Sequence, residues 1–301
     1  MSLTLFTFYL DWAICGQFAG LCWAQAKGFY HQAGLDVDLL AWQDDGLSIV
    51  DKVLSASARG LICAGSSEDN LLCTSRTLSK PVKALATMLQ HSPLVLITQA
   101  DSDIHSLADL PGHSLAMQPD GNRILEAVLA LEGIDRNAIA ITESAYDLER
   151  LTSRRFDAIQ GYAMSEPIEL AHLGCATRVI PIRHTQLHPY SQVFFSTDDA
   201  IAQHPDAISK FLQASFAGWR QAMTHQDEAA QIVVDMMGES AQLNTEREMI
   251  KVMTPYVIGD VGLDQFGYLD LQRWERNLAT YERIGILSCP LTLDQIICAQ
   301  I

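Results

Sequence analysis

Basic side chains are scarce in this chain. Its 301 residues contain 20 Lys and Arg against 36 Asp and Glu, which gives a formal net charge of −16. A surface with this charge repels the phosphate backbone of a nucleic acid. We therefore expect no nucleic-acid partner.

Long hydrophobic runs are also missing. No stretch reaches the roughly 18 consecutive apolar residues that a membrane-spanning helix needs, so we expect the folded chain to stay out of the bilayer. The start of the sequence shows no basic segment ahead of an apolar one, as a secretory signal peptide would. We expect a periplasmic protein whose export signal lies outside this sequence, with a cytoplasmic protein as the alternative.

Sequence signatures of metal sites and of common catalytic sites are absent. The seven cysteines form no C-x-x-C pair, and their odd number leaves at least one thiol unpaired, which favours a reducing compartment. The nine histidines form no H-E-x-x-H motif, and neither G-x-S-x-G, G-x-G-x-x-G nor a Walker loop occurs. We expect no metal ion, no cofactor and no catalytic residues.

What the sequence does contain is an alternation of short apolar strands with amphipathic helices. This alternation predicts βαβ units around parallel sheets. The length suits two lobes better than one core. The predicted strands of the first cycle are 5–10, 35–40, 60–64 and 82–89, and those of the second are 94–98, 113–117, 139–142 and 157–160.

After a further strand at 193–196 the pattern becomes helical. Apolar residues recur at helical spacing over 205–224, 227–237, 245–253 and 269–284. A single helix is also predicted at 20–32, ended by Gly34. The last helices must pack on lobes that the earlier segments form.

Several stretches together resemble one protein family. They are Leu10-Asp11-Trp12, Lys27-Gly28-Phe29-Tyr30, Gly65-Ser66-Ser67-Glu68, Pro81 to Ala86, and Gly161-Tyr162 with Ser165-Glu166-Pro167. In this order they look like the thiamine-pyrimidine-precursor-binding proteins, and the resemblance covers about residues 4 to 285. Between Trp12 and Ala19 the chain departs from the family, which usually has a Pro-Asn pair and a histidine there.

The resemblance implies an α/β, type II periplasmic-binding-protein fold, with two doubly wound lobes joined by two crossing segments near 91–96 and 184–192. Residues 1–92 and 189–301 would form the first lobe, including the C-terminal helices, and 93–188 the second. It further implies a monomer that closes on a small-molecule ligand and delivers it to an ABC permease or a sensor module.

The function predicted from this resemblance is capture of a small heterocyclic or amine-bearing solute, similar to a thiamine pyrimidine precursor. One alternative is an enzyme of thiamine-pyrimidine synthesis. However, the chain has no histidine between Gln32 and Gln90 and no cysteine cluster, which that chemistry uses. Another alternative is the ligand-sensing domain of a longer signalling protein.

In the first lobe the candidate ligand contacts follow two predicted strands. A carboxylate at Asp11 would accept from an amino group, and the indole of Trp12 would stack on a ring; Trp12 in the core and Asp11 as a helix cap is the alternative. Gln17 and Phe18 lie in the divergent segment. A helix N-terminus predicted at Ser66, Ser67 and Glu68 would donate to ligand oxygens or simply be capped.

In the second lobe the candidates occupy the equivalent positions. Gln118 and Asn122 lie in a predicted turn that also contains Asp120, for which a capping role is equally open. Tyr162 and Glu166 follow the strand at 157–160, and a carboxylate there would pair with an aminopyrimidine edge or an ammonium group; Pro167 supports the alternative that Glu166 starts a helix. Tyr190, on the second crossing segment, completes the set.

Overall fold

The computed structural model describes residues 3–144, 146–238 and 241–298, without the side chain of Asp120. Its strands form two five-stranded sheets. The first sheet has the order β2-β1-β3-β10-β4. Its strands are β1 (Thr4–Tyr9), β2 (Leu35–Leu40), β3 (Cys63–Ser67), β4 (Val82–Leu89) and β10 (Ser191–Thr197).

The second sheet has the order β7-β6-β8-β5-β9. This is the same arrangement as in the first sheet, with β5 in the place that β10 occupies there. Its strands are β5 (Leu94–Gln99), β6 (Ser114–Met117), β7 (Ala140–Glu143), β8 (Ala158–Tyr162) and β9 (Thr177–Pro181). Strand β9 was not predicted, because its residues alternate only weakly between buried and exposed positions.

The prediction of purely parallel sheets is wrong in one respect. In each sheet one strand runs against the others: β10 pairs antiparallel with β3 and β4, and β5 pairs antiparallel with β8 and β9. Both strands follow a passage of the chain from one sheet to the other. Because the chain enters each sheet from the opposite end there, no βαβ crossover sets the strand direction.

Helices cover the sheets on both faces. Their bounds are α1 (Ala19–Ala26), α2 (Phe29–Gln32), α3 (Ile49–Ala58), α4 (Asp69–Thr77), α5 (Pro119–Glu132), α6 (Glu149–Thr152), α7 (Glu166–His172), α8 (Asp198–Gln203), α9 (Pro205–Thr224), α10 (Gln226–Met237), α11 (Leu243–Ile258), α12 (Leu271–Arg283) and α13 (Leu293–Ile296). Among the described residues no helix combines the length and apolar character that crossing a membrane requires.

Three local predictions in the N-terminal part of the chain are corrected. The helix predicted at 20–32 is split into α1 and α2, because Gly28 adopts a left-handed conformation with φ of 70°. The helix N-terminus predicted at Ser66 to Glu68 begins later: Ser66 and Ser67 end strand β3, and Glu68 occupies the N-cap position of α4 without a capping hydrogen bond from its side chain. The strand starts at Cys63 instead of Gly60, since Cys63 is the residue that pairs with Thr7 of β1.

The close packing of α1 against α9 holds the N-terminal segment in place. A Cβ atom on Gly20 would lie 2.2 Å from Cγ of Trp219, and one on Gly218 would lie 2.2 Å from the carbonyl oxygen of Gly20. Trp219 is fully buried and stacks on Phe266 with ring centroids 5.5 Å apart. The two helices therefore approach each other only because glycines occupy the contact.

Arg273 of α12 binds both segments that connect the sheets. Its guanidinium donates to the carbonyl oxygen of Gln90 at 2.5 Å on one segment, and to those of His188 and Pro189 at 2.7 Å on the other. It also lies 3.5 Å above the ring of Tyr190. Helix α12 thus fixes the two segments relative to each other on the side of the first sheet.

Buried Asp69, at the start of α4, adds a second connection to the same region. Its carboxylate accepts from the Tyr281 hydroxyl at 2.7 Å and from the Tyr190 backbone N–H at 2.9 Å. Burial raises the pKa of Asp69 to about 6, against the lowering effect of these hydrogen bonds. The segment before β10 is therefore held in two ways: its carbonyl groups accept from Arg273, and the backbone N–H of Tyr190 donates to Asp69.

Candidate ligand-binding cleft

A cavity of about 370 Å³ lies between the two sheets, at the carboxyl ends of β1, β3, β6 and β8. This is where parallel α/β sheets present loops and helix N-termini to a ligand. The volume falls within the range of small-molecule sites. Its lining consists of Asp11, Trp12, Gln17, Trp42, Ile49, Ser67, Glu68, Leu71, Gln118, Pro119, Gln160, Gly161, Tyr162, Ser165 and Glu166.

Asp11 is held in the first half of the cleft by a reciprocal pair of hydrogen bonds. The hydroxyl of Ser66 donates to Asp11 Oδ1 at 2.7 Å and accepts from the Asp11 backbone N–H at 3.1 Å. Ser66 is itself fully buried behind the cavity wall. Ser66 therefore orients the carboxylate of Asp11, which lines the cavity, but Ser66 itself does not line it.

Gln17 is positioned by a short 3₁₀ helix, Gly16–Phe18. The backbone N–H of Gly16 donates to Glu246 Oε2 at 2.6 Å, and burial raises the pKa of this glutamate. Gln17 faces the cavity, whereas Phe18 is fully buried in the core behind it. The divergent segment of the sequence thus contributes one amide side chain to the cleft.

Two indole rings, those of Trp12 and Trp42, line the cavity, and a third aromatic ring contacts one of them. Trp12 stacks on Trp42 with ring centroids 5.6 Å apart and an interplanar angle of 13°. Tyr146, which follows β7 of the second sheet, meets Trp12 edge-on at 5.9 Å. Trp42 was not predicted, although its position just after β2 is equivalent to that of Trp12 after β1 and would have indicated it. Stacked indoles of this kind offer a flat face to a planar ligand.

Glu68 connects the two sides of the cleft. Its Oε1 accepts from the hydroxyl of Tyr162, on the second sheet, at 2.6 Å, and its Oε2 accepts from the hydroxyl of Ser191 at 2.7 Å. Both hydrogen bonds involve an ionisable acceptor, the stronger class in proteins. The contact between Glu68 and Tyr162 closes the cavity on the side of the crossing segments.

Glu166 is a nearly buried carboxyl group in the cavity wall. Its pKa is raised to about 7, chiefly by burial and to a smaller extent by the nearby Glu169, while the Tyr162 backbone N–H, which donates to Oε2 at 2.6 Å, acts in the opposite direction. Gly161 leaves room for this side chain, since a Cβ atom there would lie 2.9 Å from Glu166 Cδ. The group is thus poised to change charge near neutral pH.

Gln160 is a cavity residue that was not predicted. Its Oε1 accepts from the Gln118 backbone N–H at 2.9 Å, so the amide is oriented with its Nε2 group as the remaining donor. A Cβ atom on Gly121 would lie 2.3 Å from Gln160 Oε1, so glycine is needed at the start of α5. Gln160 lies in β8, directly before the Gly161-Tyr162 stretch, and only its burial and its place in the cavity wall reveal its role.

Eight predicted site residues line the cavity and four do not. Phe18 and Ser66 lie behind the wall. Asn122 lies in the first turn of α5, which begins at Pro119 where a turn had been predicted, and its amide donates to Glu126 Oε1 at 3.4 Å. Tyr190 is fully buried, stacked on Trp274 at 5.7 Å. Direct ligand contact by these four residues remains a prediction, and their positions in the structure do not favour it. The side chain of Asp120 lies outside the described residues.

The charged side chains of the cavity all have one sign. In the part of the chain that the structure describes, the lining contains the carboxyl groups of Asp11, Glu68 and Glu166 and no Lys, Arg or His. Within the same residues no group of three or more His, Cys, Asp and Glu side chains is arranged to hold a metal ion. The cleft is therefore built to accept hydrogen bonds and positive charge.

This fold, with two mixed sheets of matching order and a cavity between them, is the type II periplasmic-binding-protein fold. The chain belongs to the NMT1/THI5-like family, whose model matches residues 16–229. The predicted resemblance and fold class are thereby confirmed.

Known proteins with different activities are similar to this chain. The riboflavin-binding protein RibY of Chloroflexus aurantiacus is 23% identical over 287 residues, covering 93% of this chain and 80% of RibY. The periplasmic aliphatic sulphonate binding protein SsuA from Escherichia coli has a TM-score of 0.72 at 13% identity, covering 99% of this chain and 92% of its own. The desulfurization enzyme DszB has a TM-score of 0.65 at 16% identity, covering 99% and 97%.

Proposed function

We propose that this chain is a solute-binding protein that captures a small heterocyclic or amine-bearing ligand by closure of two lobes. The observation that carries the proposal is the lining of the cleft, in which stacked Trp12 and Trp42 stand beside the carboxyl groups of Asp11, Glu68 and Glu166. An aromatic face binds a planar ring, and carboxylates bind its N–H or ammonium groups.

The charge of the cavity argues against an anionic ligand. SsuA is named for aliphatic sulphonates. In this chain a sulfonate would face three carboxyl groups without a basic partner among the described lining residues. Bringing like charges into a partly desolvated cleft costs several kcal/mol. The name of RibY, a riboflavin-binding protein, is in line with a flat heterocycle. A thiamine pyrimidine precursor fits the same description.

The proposed lobes are residues 1–92 with 189–301, and residues 93–188. Strand membership supports this division, because β1–β4 and β10 form one sheet and β5–β9 the other. Each lobe supplies part of the lining, so a ligand that contacts both stabilises the closed form. We extend the proposal to delivery of the ligand to an ABC permease or a sensor module and to a periplasmic location, and we assign the cavity no chemical step.

Titration calorimetry with riboflavin, a 4-amino-5-hydroxymethylpyrimidine, a polyamine and an alkanesulfonate tests the proposal. We expect binding of at least one ring or amine ligand, quenching of tryptophan fluorescence by the ring ligands, and no binding of the sulfonate. Trp42→Ala should weaken ring binding by about tenfold, the loss of one stacking contact. Tyr268→Ala, at an exposed residue outside the cavity, is the control.

Two outcomes would contradict the proposal. One is binding of the alkanesulfonate together with no binding of any ring or amine ligand. The other is ring binding that Trp42→Ala and Tyr268→Ala leave equally unchanged, since the ligand would then lie outside this cleft. The enzyme alternative is tested by incubation with pyridoxal phosphate and iron, where a Schiff-base absorbance on the intact chain would support catalysis.

A further inference from the structure

Four polar side chains form a continuous chain of contacts from the far side of the cleft to the crossing segments. Tyr162, at the end of β8 in the second sheet, donates to Glu68 Oε1 at 2.6 Å. Glu68 Oε2 accepts from Ser191 at 2.7 Å, and the hydroxyls of Ser191 and Ser92 lie 3.1 Å apart. These contacts connect residues that are about a hundred positions apart in sequence.

The two serines connect this series of contacts to the segments that link the sheets. Ser92 lies between β4 and β5, and Ser191 begins β10, so each stands on one of the two passages between the sheets. Ser92 Oγ also accepts from the Leu94 backbone N–H at 3.3 Å. When two lobes open, the backbone of such connecting segments is what rotates. A rotation there moves the serines, and through them the carboxylate of Glu68.

We infer that Glu68 and Tyr162 form a latch that favours the closed cleft before ligand arrives, and that Ser191 is the positioning residue that aims Glu68 at Tyr162. The inference rests on the proposed function in that it treats closure of the same cleft. It assigns Glu68 and Tyr162, which were predicted as ligand contacts, a role in closure. Ser191, fully buried, was not among the predicted residues.

The latch has a defined chemical basis. In the open form the hydroxyl of Tyr162 and Oε1 of Glu68 are separated, and each binds water in place of the other. In the closed form they exchange water for one direct hydrogen bond to a carboxylate. A net gain of this kind corresponds to a factor of roughly three to thirty in an equilibrium constant. The latch therefore shifts the balance between open and closed forms without fixing it.

The ratio of closed to open molecules is measured on the full chain without ligand, by single-molecule FRET between dyes at Leu78 and Leu173. Both positions are exposed, and one lies in each proposed lobe. Tyr162→Phe removes only the hydroxyl and should lower the ratio about tenfold. Ser191→Ala should lower it by a smaller factor, and Tyr268→Phe, at an exposed tyrosine outside the cavity, should leave it unchanged.

The double variant separates positioning from a general structural effect. If Ser191 acts through Glu68, then Ser191→Ala changes the ratio little once Tyr162→Phe has removed the latch. Non-additive effects on the ratio support the inference. A ratio unchanged by Tyr162→Phe, or effects that multiply independently in the double variant, would overturn it. Because no ligand is present, failure of the latch is distinguishable from failure of the proposed function, which the calorimetric panel tests.

Discussion

The raised pKa of Glu166 leads to a prediction about stability that is independent of the ligand. This carboxyl lies in the cavity wall, and burial raises its pKa from an ordinary value of 4.5 to about 7. Glu166→Gln removes the titration and keeps a side-chain oxygen that accepts from the Tyr162 backbone N–H. The variant therefore changes the charge of the site with little change in its shape.

The sign follows from proton binding in the two states. Between pH 4.5 and 7 the folded chain keeps the proton of Glu166, whereas the unfolded chain has released it. The folded state thus binds more protons, and the free energy of unfolding of the native sequence falls as pH rises through this window. The total loss from this one group is about 3 kcal/mol, since each pKa unit corresponds to about 1.4 kcal/mol.

Urea unfolding of the native sequence and of Glu166→Gln, measured at intervals from pH 4.5 to 8, checks the prediction. The free energy of unfolding of the variant minus that of the native sequence should rise by about 3 kcal/mol up to pH 7 and stay level above it. This corresponds to about 5 °C in melting temperature for a chain of this length. Asp69 and Glu246, whose pKa values are also raised, titrate in both proteins and cancel.

Glu275→Gln, at an exposed position of α12, controls for the loss of one negative charge. Its difference from the native sequence should not follow the same pH window. A difference for Glu166→Gln that is constant across the pH range, or that falls as pH rises, would refute the reasoning, because the carboxyl would then be ionised in the folded chain.

Three further variants test the packing that positions the cleft. Gly20→Ala places a Cβ atom 2.2 Å from the buried Trp219 ring and should lower the free energy of unfolding by about 3 kcal/mol in urea titration; a change under about 0.5 kcal/mol would contradict the close helix contact. Gly121→Ala should displace the amide of Gln160 and weaken binding of the ring ligand about tenfold in calorimetry, with the melting temperature nearly unchanged. Arg273→Lys cannot bind all three backbone carbonyls of the crossing segments and should speed their hydrogen exchange; unaltered exchange would show that the clamp is not needed.

Periodicity in the sequence was sufficient for most of the elements. The predicted bounds of β2, β4 and α9 match those of the structure, because each is a long segment with a strong alternating or helical pattern. The prediction failed where conformation depends on one residue or on a partner: Gly28 divides a helix, and pairing with β1 moves the start of β3 to Cys63. Strand directions in the mixed sheets depend on where the chain changes sheets, which no local pattern records.

The same distinction applies to the cleft. Asp11, Trp12, Tyr162 and Glu166 could be predicted because they follow strands in recognisable stretches. Trp42 follows β2 as Trp12 follows β1, so the same reasoning could have indicated it, although it lies in none of the stretches that carry the resemblance. Gln160 could not be singled out in this way, since it becomes a cavity residue only when two strand ends lie side by side.

The sequence by itself determined the acidic character of the chain, the two cycles of strands and helices, the family and the carboxylates of the cleft. Composition and local spacing are sufficient for the first two, because they depend on residues near one another in the chain. The family and the carboxylates came from the resemblance of short stretches. Only the tertiary structure decided that Ser66 orients Asp11, that Glu68 meets Tyr162 and Ser191, and that burial holds the proton of Glu166. These depend on distances and desolvation between segments that are far apart in sequence, and folding alone brings them together.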